Sequence, residues 1–316
     1  MPGDTKARQG LNGAMDHPLP TWAQAAGADP AGGTGPAPFL IRSPPMQTAP
    51  LVFASPHSGR VYSAEFLAAS RLDATALRRS EDSFVDDLFA SAPDHGAPLI
   101  AAAFPRAYCD PNREMWELDP AMFSDALPHW VNTTSARVGA GLGTVARVVA
   151  SGEAIYRRKL RFAEAEERVQ ACWAPYHQAL AGLLAATQAR FGACLLVDCH
   201  SMPAYGAAPS GRGAPDFVLG DAHGTACAPG VTARIEQVLT GFGYDVRRND
   251  PYAGGYVTRH YGRPRDGAHA IQIEVARSLY MDEARFERSP AFGLLQSRLS
   301  ALVADLAATA PALLRA

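Results

Sequence analysis

Two short apolar runs in the sequence end alike, and together they dictate the kind of sheet this chain builds. Leu51-Val-Phe-Ala-Ser55 leads into Pro56-His57-Ser58-Gly59, and Leu195-Leu-Val-Asp198-Cys199 leads into His200-Ser201. An unbroken apolar run of this length is the pattern of a strand buried on both faces. Such strands belong to parallel sheets covered by helices. Each run delivers a histidine and then a serine at its carboxyl end, the edge of an open α/β sheet where ligands bind. Two neutral imidazoles from two such strands, with one carboxylate, make a catalytic zinc site that leaves a position for water. A lone histidine at a strand end is more often a packed or hydrogen-bonded residue. Two in matching context put the metal and the packing readings on an equal footing.

The rest of the pattern supports an α/β architecture. Leu51–Ser55, Pro98–Phe104, Ala193–Cys199, Phe217–Leu219, Tyr244–Arg247 and Ala270–Val275 read as strands. Between them, Ser80 is placed to cap a helix opening at Glu81, with Phe84, Val85, Leu88 and Phe89 on one face. Residues 151–191 are helical in pattern, with Pro175 predicting two helices or a kink and Gly192 a stop. Val231–Leu239 and a stretch from Ser289 onward are amphipathic helices. Alternating strands and helices predict three layers: a mainly parallel mixed sheet with helices on both faces. Residues 1–47, rich in Gly, Pro, Ala and Thr, read as a disordered or loosely attached extension, and residues 48–316 as a single catalytic domain. Residues 105–145 form a long Pro- and Gly-bearing stretch of the kind that carries function.

With 316 residues, 47% of them hydrophobic, the chain has material for a substantial core, and its net charge of -2 argues against a nucleic-acid partner or a polybasic membrane contact. The five cysteines are dispersed, which predicts reduced core thiols. No run approaches the ~18 apolar residues of a membrane helix. No basic stretch leads into an apolar segment at the start, so a cytoplasmic protein without a signal peptide is expected.

Several segments carry chemistry. Glu81 and Asp82 open the helix expected after His57, where a carboxylate is either a helix cap or a metal ligand. Asp198, two residues before His200 in the strand, projects on the same face, and either orients that imidazole or bonds to backbone. Glu274 stands inside the apolar run Ile271-Gln-Ile-Glu-Val275, where an ionised carboxylate is costly without compensation. Beside a metal its role is general base; otherwise it is a partner for Arg277. Asn112-Arg113 lies in the long stretch, and an arginine there either grips a carboxylate or sits on the surface. Gly254, Gly255, Tyr256, Thr258, Arg259 and His260 combine close backbone approach with donors, as a ligand-binding loop or an ordinary hairpin does. Gly139-Ala-Gly141-Leu-Gly143 follows no strand and lacks a lysine, so it is no nucleotide loop and reads as a flexible loop near the pocket. His177 and His223 read as structural. No Gly-x-Ser-x-Gly elbow occurs, and Ser58 and Ser201 read as supporting hydroxyls rather than nucleophiles.

Taken in order, Ser55-Pro-His-Ser-Gly-Arg60, Glu81-Asp-Ser-Phe-Val-Asp86, Asp110-Pro-Asn-Arg113, Val197-Asp-Cys-His-Ser-Met202, Gly254-Gly-Tyr-Val-Thr-Arg-His-Tyr-Gly262, Gln272-Ile-Glu274 and Leu279-Tyr-Met281 resemble the N-formylglutamate amidohydrolases. That family is similar to zinc-dependent carboxypeptidases and amidases, and the resemblance implies a zinc-carboxypeptidase-like fold. It implies zinc held by His57, Glu81 and His200, with Asp82 in reserve, and Glu274 as general base. Asn112, Arg113 and the Gly254–His260 segment would bind substrate. Asp82, Asp198, Ser58 and Ser201 would support these groups. The expected reaction cleaves N-formylglutamate to formate and glutamate, a step of histidine degradation. Another N-acyl amino acid or small peptide, or a non-catalytic binding protein on the same fold, are the alternatives.

Overall fold

A computed structural model describes residues 37–203 and 213–315. Its main sheet contains β1 (Phe39–Arg42), β2 (Leu51–Ser55), β3 (Leu99–Ala102), β4 (Cys194–Met202), β5 (Phe217–Gly220), β6 (Val246–Arg248) and β7 (Ala268–Ala276). Among the described residues the helices are α1 (Ala64–Ala69), α2 (Ala74–Leu77), α3 (Val85–Leu88), α4 (Ala136–Gly139), α5 (Phe162–Arg168), α6 (Ala174–Phe191), α7 (Pro229–Gly241), α8 (Tyr256–Tyr261) and α9 (Phe292–Leu313). The strand order is β1-β3-β2-β4-β7-β5-β6. Strands β3, β2, β4 and β7 run parallel, as do β5 and β6, while β1 on β3 and β5 on β7 are antiparallel.

The two His-Ser runs are adjacent central strands, β2 and β4, and both are buried along their whole length. Strand alternation sorts their side chains. Leu51, Phe53, Leu195 and Val197 pack with Val231, Ile235 and Leu239 of α7 and Leu295, Leu299 and Leu302 of α9. Val52, Ala54 and Leu196 pack on the opposite side with Tyr176, Leu180 and Leu184 of α6. Helices therefore cover both faces, as the continuous apolar pattern requires. In β4, Asp198 and His200 share the α6 face with Leu196. Their partners across the ladder are Gln272 and Glu274 of β7. A single register thus gathers two carboxylates, an amide and an imidazole at the carboxyl end of the sheet.

Four local expectations need correction. The loose extension was expected to reach residue 47, yet Phe39–Arg42 forms edge strand β1, because its apolar residues complete the sheet beside β3. Residues 1–36 lie outside the described residues. The helix expected to open at Glu81 opens at Val85 instead. Ser80 ends a 3₁₀ turn, Glu81 is extended, and the Asp82 N–H donates to the His57 carbonyl at 3.0 Å, which holds the segment against the β2 end. The helical stretch starts at Phe162 rather than Ser151. The two helices that Pro175 predicts are present: a five-residue π turn, Val169–Trp173, joins α5 to α6, and Pro175 stands in the first turn of α6. Gly254–His260 is no hairpin, since from Tyr256 onward it winds into α8. All five cysteines are buried and free, as expected of core thiols. Among the described residues no helix is long and apolar enough to cross a membrane.

Gly59, just after the first His-Ser pair, passes so close to β3's continuation that a Cβ would lie 2.0 Å from the Phe104 carbonyl oxygen. Gly59→Ala is expected to lower stability by about 1–3 kcal/mol through overpacking. A thermal melt several degrees below wild type checks this; an unchanged melt contradicts it.

Candidate active site

The ends of β2, β4 and β7 open into a cavity of about 440 Å³. His57, Asp82 and His200 meet in its wall, all buried, each offering one ligand atom within 4.8 Å of the others. The Asp82 carboxylate is the hub. Its Oδ2 lies 3.0 Å from His200 Nδ1 and 3.4 Å from His57 Nδ1, while its Oδ1 accepts from Arg277 at 3.1 Å. Burial works against its charge, but the hydrogen bond from His200 and the close positive charge of both imidazoles outweigh burial. The Asp82 carboxyl is therefore held well below the ordinary range.

Behind each imidazole stands an acid. His57 Nε2 donates to Asp110 Oδ1 at 2.7 Å, which leaves Nδ1 facing Asp82. His200 Nε2 lies 3.0 Å from Asp198 Oδ1, a close charge contact, and 3.2 Å from the Asn112 amide nitrogen. Asp198 Oδ1 can only accept and Asn112 Nδ2 can only donate, so the two suit opposite protonation states of Nε2, and the charge of Asp198 favours the protonated one. Burial lowers the His200 pKa, but Asp198 and Asp82, with Glu274 beyond them, more than reverse this and hold it well above the usual histidine value.

This donor set fits a divalent cation. His57 Nδ1 is buried without a hydrogen-bond partner, an arrangement that costs free energy unless something occupies it. Carboxylates behind both imidazoles turn the Nδ1 atoms toward Asp82, which is how metal-bound histidines are oriented. Four buried carboxylates (Asp82, Asp110, Asp198 and Glu274) gather here, while Arg106 and Arg277 are the only arginines among the described residues that hydrogen-bond to them. Protonated imidazoles or a dication would balance the difference.

Glu81 does not join the group, although the resemblance implied it as third ligand. Its carboxylate takes Tyr62 Oη at 3.0 Å, Arg78 Nε at 2.8 Å and Ser83 Oγ at 2.9 Å. Extended backbone at this point puts neighbouring side chains on opposite sides, so only one of Glu81 and Asp82 can face the histidines. The Asp82 N–H bond to His57 decides which.

Glu274 lines the same cavity. Its Oε1 accepts from Gln272 Nε2 at 2.7 Å, and Gln272 Oε1 accepts from the Gly255 N–H at 2.8 Å. Burial pushes its pKa up to about 7; His200 pulls it down and Asp82 adds to the rise. Arg277 pairs with Asp82 rather than with Glu274, which removes the bland reading of that carboxylate.

The expected substrate-binding residues divide. Arg113, Gly254, Gly255 and Arg259 line the cavity. Asn112 also reaches it but is committed, its Oδ1 accepting the Val257 N–H at 2.8 Å. Gly255 is glycine because a Cβ there would lie 2.3 Å from that amide. Thr258 turns inward, its hydroxyl 3.4 Å from Asp198 Oδ2. Tyr256 and His260 stack on each other away from the cavity. Ser58 bonds to Ser55, and Ser201 accepts from Arg277 Nε at 3.1 Å.

Sequence reasoning missed the groups that hold the Asp110–Arg113 segment. Arg106 grips Asp110 Oδ2 at 2.8 and 3.2 Å. His177 Nε2 donates to the Pro111 carbonyl at 2.8 Å, and Trp173 Nε1 to the Arg113 carbonyl at 3.0 Å. Burial lowers His177 to a pKa of about 4 against the opposing pull of that bond, so the ring is neutral at pH 7. Trp173 closes the π turn, and such turns often mark functional sites, but the turn itself is visible only in the structure.

Comparisons with known proteins identify the family. A family model described as N-formylglutamate amidohydrolase matches residues 49–281. The N-formylglutamate deformylase of Pseudomonas aeruginosa is 33% identical over 74% of this chain and 83% of its own length. That of Pseudomonas putida is 30% identical over 74% of this chain and 82% of its own. The crystal structure of N-formylglutamate amidohydrolase from Ralstonia eutropha JMP134 superposes with a TM-score of 0.81 at 38% identity, covering 86% of this chain and 98% of that one. The fold, the site and these relatives lead to one conclusion: the chain belongs to the N-formylglutamate amidohydrolase family.

Proposed function

We propose that this protein hydrolyses the amide bond of N-formylglutamate, with a divalent cation held by His57, Asp82 and His200 and Glu274 as general base. One observation carries the reading. A group of two imidazole nitrogens and a carboxylate, all within 4.8 Å, shares a cavity with a carboxylate whose pKa is raised to about 7. Two nitrogens and one oxygen suit zinc with an open position. When bound, such a cation lowers the pKa of water and polarises a carbonyl oxygen.

The chain's own groups do the rest. Gln272 occupies Oε1 of Glu274, which leaves Oε2 to take a proton from the attacking water as its oxygen adds to the formyl carbon. As the C–N bond breaks, the same carboxyl returns that proton to the leaving amine, giving formate and glutamate. A pKa near 7 suits a group that must accept and then donate at neutral pH. Asp110 and Asp198 fix the imidazoles. Arg113 and Arg259, the cavity-lining arginines expected from sequence, add positive charge to the wall that the substrate carboxylates approach. The reading treats the described residues as one catalytic domain, whose start moves back from residue 48 to β1. The product pair suits a step of histidine degradation, and five free buried thiols suit the reducing cytoplasm.

Three outcomes follow. Purified protein releases formate from N-formylglutamate faster than from N-formylaspartate or than it releases acetate from N-acetylglutamate; preference for either analogue moves the substrate elsewhere. Glu274→Gln keeps its metal and loses about 10²–10⁴-fold in kcat; activity near wild type removes Glu274 from the mechanism. Asp82→Asn loses metal on dialysis against a mild chelator whereas Glu81→Gln retains it; the reverse pattern restores Glu81 as ligand.

Metal affinity also depends on pH, with a definite sign. The metal-free His200 carries a proton above the usual histidine range, and a ligand nitrogen must lose it. Apparent zinc affinity is therefore expected to rise by up to about tenfold per pH unit between pH 6 and 8, with proton release on binding. Competition with a chelating dye, corrected for the dye's own protonation, measures this. Affinity that is flat or falling contradicts the assignment.

A further inference from the structure

Five arginines line the cavity: Arg106, Arg113, Arg137, Arg259 and Arg277. Two are committed to the site's own acids, Arg106 to Asp110 and Arg277 to Asp82. Arg113 is partly committed: Nε donates to the Leu142 carbonyl at 2.7 Å and Nη1 to the Asn112 carbonyl at 2.8 Å, with Nη2 3.8 Å from Asp110 Oδ2. Arg137 has no role in the reaction as drawn so far. Its guanidinium makes no hydrogen bond or ion pair among the described residues.

The backbone that carries Arg137 is built rather than loose. Ser135 caps α4, its Oγ accepting the Val138 N–H at 3.1 Å and donating to the buried carboxylate of Glu117. The Leu142 N–H donates to the Arg137 carbonyl at 2.8 Å, and the Asp110 N–H donates to the Thr144 carbonyl at 2.7 Å. The Gly139-Ala-Gly141-Leu-Gly143 stretch, expected to be flexible, is thus fastened to the Asp110–Arg113 segment. Leu142 joins the two cations directly, because its carbonyl takes Arg113 Nε and its N–H holds the Arg137 carbonyl. Burial, reinforced by the neighbouring charges of Arg106 and Arg137 and opposed by Asp110, lowers Arg113 to about 10. Like charges held this close favour entry of an anion.

We infer that Arg137 reads the side-chain carboxylate of the substrate and so sets specificity for a dicarboxylic acyl amino acid; the inference rests on the substrate reading proposed above. Distance along the substrate gives the assignment. In N-formylglutamate one carboxylate sits on the carbon bonded to the amide nitrogen, and the other lies two methylenes further out. Arg113 is buried and adjoins Asn112, which touches His200, so it suits the inner carboxylate. Arg137 is exposed at the rim of the same wall, so it suits the outer one. A shorter side chain would carry its carboxylate short of Arg137.

The test compares N-formylglutamate with N-formylglutamine, which has the same shape without the outer charge, on metal-loaded full-length protein. Arg137→Met is expected to raise KM for N-formylglutamate by about 10- to 100-fold, the range for losing a charged hydrogen bond, with kcat within a few-fold. Its kcat/KM for N-formylglutamine stays near wild type, and Arg137→Lys recovers part of the KM. Equal losses on both substrates, or none on either, overturn the inference, as does a selective loss in Arg259→Met with none in Arg137→Met. Wild-type protein that releases no formate from N-formylglutamate removes the substrate reading itself, and the inference with it.

Discussion

Everything at the site depends on where one carboxylate points. Asp82 sits between two imidazoles contributed by adjacent parallel strands, and it is held from three sides. Its N–H is tied to the His57 carbonyl, Oδ1 to Arg277, and Oδ2 to His200. A buried carboxylate is expensive unless hydrogen-bonded and paired. Here the partners are themselves the other ligands and an arginine from the turn that follows β7, so the acid and the sheet end determine each other's geometry.

Around this hub the chain is arranged in shells of decreasing rigidity. The β2–β4–β7 ladder sets His200 opposite Glu274 and Asp198 opposite Gln272, with no loop involved. The next layer, Asp110–Arg113, is a loop without regular structure, and it is held by donors to its carbonyls from His177 and Trp173 on the helical layer. The third layer, residues 135–144, is fastened to the second through Leu142 and Thr144. Catalytic groups on strands and recognition groups on pinned loops give chemistry a rigid base and leave specificity to the periphery.

The strand content was legible because buried parallel strands leave a continuous apolar signature. The two histidines were legible because each ends such a run. Glu274 stood out as a charge in the middle of one. What the sequence concealed was decided by direction and distance. Glu81 and Asp82 are adjacent, and a helix start would have let either face the metal. Only the extended backbone before α3 separates them. Thr258, Tyr256 and His260 looked like ligand donors in a loop, but helical winding from Tyr256 turns them away from the cavity. Asp110 and His177 act on residues 53 and 66 positions distant, a contact that no local pattern carries. Arg137 is a single cation in a polar stretch, unremarkable until the fold brings it beside Arg113.

The central claim is that a divalent cation binds through Nδ1 of His57, Nδ1 of His200 and the Asp82 carboxylate. Anomalous diffraction at the zinc edge from crystals of the zinc-loaded protein tests it most directly. The account predicts one strong peak between those three groups, with Glu274 facing it across the cavity and Glu81 still bonded to Arg78. A peak on Glu81, coordination through either Nε2, or no peak at the meeting point of the three groups would contradict it.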